Sequence, residues 1–215
     1  MMDGAIFDVD GTLLDSMPVW EEAGMRYLAG LGIKAAPGLS DILYPMSMRE
    51  GAMYLKDTYR LKQTVREIGD GVNRTIQDFY QNEVQAKKGV ESFLKRLQRE
   101  HIPAAAATSS DRCLIEAAFD RLGLSRYFVH IFTCTEVGRG KDEPDIYLAA
   151  ARKLGSEVSR TWVFEDALYA ARTARQAGFC VAAVYDRSAE GDKQKLKETA
   201  NIYIEDFDMI MHAGV

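Results

Sequence analysis

Cysteine is scarce in this 215-residue chain: Cys113, Cys134 and Cys180 are scattered, with no CxxC spacing. That argues against a disulfide frame and a cysteine zinc site, so the thiols read as small buried apolar groups in a reducing compartment. No apolar run reaches the length that crosses a bilayer. The N-terminus enters its first apolar segment at once and leaves no room for a signal peptide, so a cytoplasmic protein is expected. Positive charge is not in excess either: 27 Lys and Arg face 32 Asp and Glu, a formal net charge of −5. Nucleic acids and anionic membranes need a net-positive face, so neither is an expected partner. There is no internal repeat and no low-complexity segment. What remains is 47% hydrophobic and 27% charged, the make-up of a folded globular protein. The length suits one large domain, or a domain carrying a smaller insertion.

Short apolar, β-branched or alanine-rich runs recur along the chain: "GAIFDV", "IPAAAATS", "HIFT", "TWVFED", "CVAAVY" and "NIYI". They read as strands, several apolar throughout, as in a parallel sheet covered on both faces. Amphipathic helical patterns such as "VESFLKRLQRE", "RCLIEAAFDRLG", "PDIYLAAARKLG" and "ALYAARTARQAG" separate them, three ending in the Leu-Gly or Ala-Gly of a helix stop. Alternation of this kind predicts an α/β fold with a doubly wound, Rossmann-like parallel sheet. One interval breaks it. From Ser16 to about residue 87 only helical periodicity appears, including a long stretch, "QTVREIGDGVNRTIQDFYQNEVQA", with a break expected at "GDG". The expectation is a small helical domain, residues 16–87, inserted into a core of residues 1–15 and 88–215.

In open α/β sheets ligands collect at the carboxyl ends of the strands. The residues leaving the expected strands there are Asp8, Asp10, Gly11 and Thr12, then Thr108, Ser109 and Ser110, then Lys141 across a loop "CTEVGRG", then Glu165 and Asp166. Each fragment has an ordinary structural reading. A D-x-D after an apolar run is commonly a turn, Ser110 or Asp111 caps the following helix, a lone lysine is usually solvated, and Glu165-Asp166 suits a helix start. Their shared sheet edge has no such ordinary reading. Clustered carboxylates offer hard oxygen ligands to Mg²⁺, which also lets like charges coexist. Hydroxyls, backbone N–H groups and a lysine suit a phosphate. One carboxylate could attack phosphorus while a second moves the proton.

These residues resemble the motifs of the haloacid dehalogenase-like hydrolase superfamily. "FDVDGTLLDS" is similar to the first motif, "TSS" to the second, "GKDEPDIY" to the third and "VFEDA" to the fourth, in order along the whole chain. The helical insertion is similar to the small helical cap of the subgroup containing phosphoglycolate phosphatase and β-phosphoglucomutase. The resemblance implies that Asp8 is the nucleophile and a Mg²⁺ ligand. It implies that Asp10 is the general acid and then base, with its backbone carbonyl facing the metal. Thr108, Ser109 and Lys141 would hold the phosphoryl group, and Glu165 and Asp166 would complete the metal site. The cap would exclude water and choose the leaving group, with Arg49 lying where a mutase-like phosphate contact is expected. An acid at Asp10 favours phosphate-ester cleavage of a small phosphorylated metabolite. Mutases of the β-phosphoglucomutase type carry a histidine where this chain has Trp20, which weighs against the mutase alternative. A receiver-type signalling module is shorter, lacks a cap and carries its acceptor aspartate on a middle strand. Met46, Met48 and Met53 read as packing of the insertion, and oligomeric state is not encoded in any motif.

Overall fold

Six runs of the chain pair side by side into one parallel sheet, and their residue types account for it. In the computed structural model, which describes residues 2–43, 46 and 48–210 with the side chains of 41, 48 and 49 excepted, the strands are β1 (Gly4–Phe7), β2 (Ala104–Thr108), β3 (Phe128–Thr133), β4 (Thr161–Glu165), β5 (Cys180–Val184) and β6 (Ile202–Ile204). Their order is β3-β2-β1-β4-β5-β6, all parallel. The helices are α1 (Met17–Gly30), α2 (Leu39–Leu43), α3 (Met48–Tyr59), α4 (Val65–Asn82), α5 (Val90–Arg99), α6 (Arg112–Leu122), α7 (Cys134–Val137), α8 (Asp145–Leu154), α9 (Leu168–Gln176), α10 (Lys193–Thr199) and α11 (Phe207–Ile210). This is the doubly wound α/β fold expected from the alternation, with a helical insertion after β1.

The period-two alternation of β1 sends successive side chains to opposite faces. Ile6 joins a core with Ala105, Ala107, Val163, Val181 and the inner residues of α8 and α9. Phe7 joins an aromatic cluster on the other face, stacked on Phe164 at 4.5 Å between centroids and flanked by Phe93 and Phe207. Each fully buried ring of this kind stabilises by about 1.5–3 kcal/mol. The alanines of β2 are buried throughout and let Ile146, Tyr147 and Ala150 of α8 close on the sheet. β3 is an edge strand and keeps Val129 half exposed, so it is not covered as the inner strands are.

Two compact units result, one of Met1–Asp15 with Gln85–Val215, the other of Ser16–Val84. Within the first, the outgoing and returning segments are zipped by Asp15 N–H to Gln85 O (3.0 Å) and Lys87 N–H to Leu13 O (2.9 Å). The second unit is helical among its described residues. Its longest helix, α4, starts at Thr64, whose hydroxyl accepts from Glu67 N–H while the Glu67 carboxylate accepts from Thr64 N–H, a reciprocal cap. The break expected at "GDG" does not occur. Gly71 is retained inside a continuous helix because a Cβ there would lie 2.3 Å from the Tyr27 ring of α1. Met53 is about half exposed, contrary to its reading as packing, and the side chain of Met48 lies outside the described residues. The cysteines are not buried as expected: Cys113 is exposed, and Cys134 and Cys180 are partly so.

Candidate active site

β1 ends at Phe7, and its register with β4 places the next residue, Asp8, beside the end of that strand: Asp8 N–H donates to Phe164 O at 2.9 Å. Glu165 closes β4 and Asp166 follows it. One carboxylate oxygen from each of Asp8, Glu165 and Asp166 lies within 4.8 Å of the others, and all three residues are buried. Lys141, also buried, arrives from the loop ahead of α8 and donates to both Asp8 Oδ1 and Glu165 Oε1. Three carboxylates around one ammonium leave two negative charges uncompensated when all are ionised, which is the charge of one divalent cation.

The consequences show in the acidities. Burial, reinforced by Glu165, Asp166 and Asp10 and opposed by Lys141, holds the Asp8 carboxyl well above the usual carboxylate range. Burial also lifts Asp166, and Glu165 and Asp186 add to it, so that its pKa is pushed up to about 7. Desolvation works against the Lys141 ammonium, but Asp8 and Glu165 overcome it and hold its pKa well above an ordinary lysine. Among buried side-chain atoms of the described residues, Asp8 Oδ2 has no hydrogen-bond partner. A buried, unpartnered carboxylate oxygen is costly, and Asp8 clusters with Glu165 and Asp166 as hard oxygen donors of the type that Mg²⁺ takes. The residues therefore fit a divalent cation.

Asp10 is directed differently. Its Oδ2 accepts from Ser110 Oγ at 2.6 Å and from Thr108 Oγ1 at 3.4 Å, and it is not part of the three-carboxylate cluster. Thr108 is buried and Ser109 exposed, its hydroxyl 3.4 Å from Cys134 Sγ. Helix α6 has Asp111 at its N-cap position without a side-chain cap bond. Ser110, read from sequence as a possible cap, is instead tied to Asp10. The "CTEVGRG" stretch is more than a loop: α7 forms in it, started by Thr133 accepting from Glu136 N–H and closed by Gly138 in the left-handed conformation. Arg49 lies in α3, and its side chain is outside the described residues.

Three further residues support the site: Thr12, which the sequence places at this edge without a role, and Tyr147 and Lys87, which carry no local signal. Thr12 Oγ1 donates to Asp166 Oδ1 at 3.1 Å, and Tyr147 Oη donates to Glu165 Oε1 at 2.9 Å from α8. Lys87 holds the Gly11 carbonyl at 2.6 Å. Gly11 has a φ of +84°, a conformation open to glycine at little cost, and this lets the chain turn directly after the second aspartate.

The haloacid dehalogenase-like hydrolase family model matches residues 2–178. A phosphorylated carbohydrates phosphatase of Thermotoga maritima is 27% identical over 177 residues, covering 82% of each chain. The hexitol phosphatase A of Escherichia coli is 27% identical over 219 residues, covering 98% of this chain and 90% of its own. Among solved structures, a Thermotoga maritima protein with a provisional β-phosphoglucomutase name superposes with a TM-score of 0.85 at 24% identity, covering 99% of this chain and 100% of its own. At that identity the likeness speaks for the fold.

Proposed function

The chain belongs to the haloacid dehalogenase-like hydrolase family, and from that premise we propose that it is a phosphatase of a small phosphorylated sugar or a related metabolite. The observation that carries this reading is the buried Asp8 carboxylate, with Lys141 on one oxygen and no partner on the other. In the proposed reaction Asp8 Oδ2 attacks phosphorus as the bond to the leaving oxygen breaks and Asp10 gives that oxygen its proton. Asp10 then takes a proton from water, which attacks phosphorus and releases Asp8 and inorganic phosphate. Thr108, Ser109 and Lys141 are assigned to the phosphoryl oxygens, and Arg49 to a substrate contact. Mg²⁺, held by Asp8, Glu165 and Asp166 with the Asp10 carbonyl, would neutralise charge on the transferring group. Choice of the leaving group is assigned to the helical unit. The relatives named for carbohydrate and hexitol phosphates support sugar phosphates as the first class to try.

The mutase alternative gains no support from Trp20, which stands where such enzymes carry histidine. Its indole N–H donates to Tyr80 Oη at 3.1 Å inside the helical unit. The test is a screen of sugar phosphates, phosphoglycolate and nucleotides with Mg²⁺, with released phosphate measured and sugar products followed by NMR. Hydrolysis that disappears in excess EDTA and in Asp8→Asn is expected. Turnover that survives either one refutes the assignment, and an isomerised sugar phosphate without free phosphate replaces it with the mutase.

A further inference from the structure

Lys87 performs none of the chemistry above, yet its ammonium is engaged on every side. It donates to Gly11 O at 2.6 Å, to Tyr185 O beyond the end of β5, and to Asp186 Oδ2 at 2.9 Å. Both members of the ion pair are largely buried, with 14% of the lysine and 6% of the aspartate side chain exposed. An ammonium has three N–H donors, and three protein acceptors meet them. Asp186 is fixed in turn, its Oδ1 accepting from Ser188 N–H and Oγ at 2.9 and 2.7 Å. Lys87 also grips the same loop through its backbone, donating N–H to Leu13 O.

What it grips is the turn after Asp10. On one side of Gly11, Asp10 is tied to Ser110 at the end of β2. On the other, Thr12 is tied to Asp166 after β4. The Gly11 carbonyl is the remaining handle, and Lys87 pulls it toward β5. Each hydrogen bond thus goes to a different strand end, so the turn is stretched across the carboxyl edge of the sheet. We propose that Lys87 is a positioning residue that sets the placement of Asp10 by anchoring the Gly11 carbonyl to the end of β5, the Gly11 and Tyr185 carbonyls holding the ammonium and Asp186 compensating its charge. This rests on the phosphatase reading for its catalytic consequence, and the anchoring itself is measurable without it. Misplacement of a proton-transferring group by about 1 Å can cost on the order of 100-fold in rate.

A set of three variants separates anchoring from mere stability. Lys87→Met leaves Asp186 buried and unpaired, so it lowers both the melting temperature and kcat. Lys87→Met/Asp186→Asn removes the stranded charge, so stability returns toward wild type, while kcat at saturating Mg²⁺ stays down by about tenfold or more with KM little changed. Asp186→Asn alone keeps both carbonyl contacts of Lys87 and retains most of kcat. In parallel, amide hydrogen exchange of Gly11, Leu13 and Leu14, whose N–H groups close the turn onto Leu14 O and Val9 O, speeds up in the double variant relative to Asp186→Asn. Wild-type kcat in the double variant, or an equal loss in Asp186→Asn, overturns the positioning role. If the wild-type protein hydrolyses no phosphate ester, the phosphatase reading falls by itself. Exchange then decides alone, and unchanged protection at these three amides in the double variant overturns the anchoring.

Discussion

Asp166→Asn should make the metal-free protein more stable, and the gain should grow with pH. The folded carboxyl titrates at about 7, against an ordinary value of 3.8, because it is buried beside Glu165 and within reach of Asp186. A carboxyl whose pKa rises on folding holds its proton more tightly in the folded state. Its contribution is therefore most favourable below about pH 4, declines as pH climbs, and reaches its full penalty above about 7. A shift of about three units at 1.36 kcal/mol each sets a ceiling near 4 kcal/mol. Since Asp8 and Glu165 share the same excess charge, about 2–3 kcal/mol is expected at pH 8. The asparagine keeps an oxygen for the Thr12 hydroxyl, so the packing partner found in the wild type remains. In a chain of this length that is a rise of roughly 5–10 °C in melting temperature. The assay is thermal unfolding of EDTA-treated protein at pH 4 and pH 8, repeated with Mg²⁺. The stability difference should be large at pH 8 and near zero at pH 4. Mg²⁺ should stabilise wild type by mass action and the variant far less. A variant no more stable than wild type at pH 8, or one that Mg²⁺ stabilises equally, would refute the argument that this cluster stores repulsion for a cation to relieve.

Asp10→Asn keeps an acceptor for Ser110 and loses the transferable proton. It should slow hydrolysis of a sugar phosphate by about 10²–10⁴-fold, whereas p-nitrophenyl phosphate, whose leaving group departs without protonation, should release its first equivalent of nitrophenolate as a fast burst before the turnover slowed by loss of the base. Equal losses in the first-turnover rate on both substrates count against the acid role. Gly71→Ala places a methyl 2.3 Å from the Tyr27 ring, and overpacking should outweigh the better helix propensity by about 1–2 kcal/mol. Urea unfolding measures this, and an unchanged midpoint means that α1 and α4 are less closely packed than described.

The sheet was legible because its evidence is local. Apolar runs such as those around Ala5 and Val163 announce buried strands, and glycines such as Gly123 and Gly155 sit in the left-handed position that ends a helix. Asp8, Glu165 and Asp166 were legible because parallel strands deliver their last residues to one edge. Thr133-Cys-Thr-Glu136 holds the capping pattern that starts α7, a signal that was present and passed over in favour of a loop. The break expected in α4 went wrong because Gly71 answers to Tyr27, 44 positions earlier in the chain. Tyr147 and Lys87 escaped for the same reason, as did the roles, though not the edge positions, of Thr12 and Ser110. Ser110 looks like a helix cap and Lys87 like a solvated charge, and only partners separated by 76 to 100 positions reveal otherwise.

Lys141 has one more effect. A carboxylate in water has two interchangeable oxygens, and rotation about its bond makes either available. With Lys141 on Oδ1, Asp8 is desymmetrised: the two oxygens differ in charge, in partner and in freedom. On the proposed chemistry the ammonium occupies one oxygen and leaves the other to meet phosphorus, so which oxygen attacks is set before any substrate arrives. A glutamate at position 8 would keep the functional group and lose this distinction, because its longer stem moves both oxygens relative to the lysine.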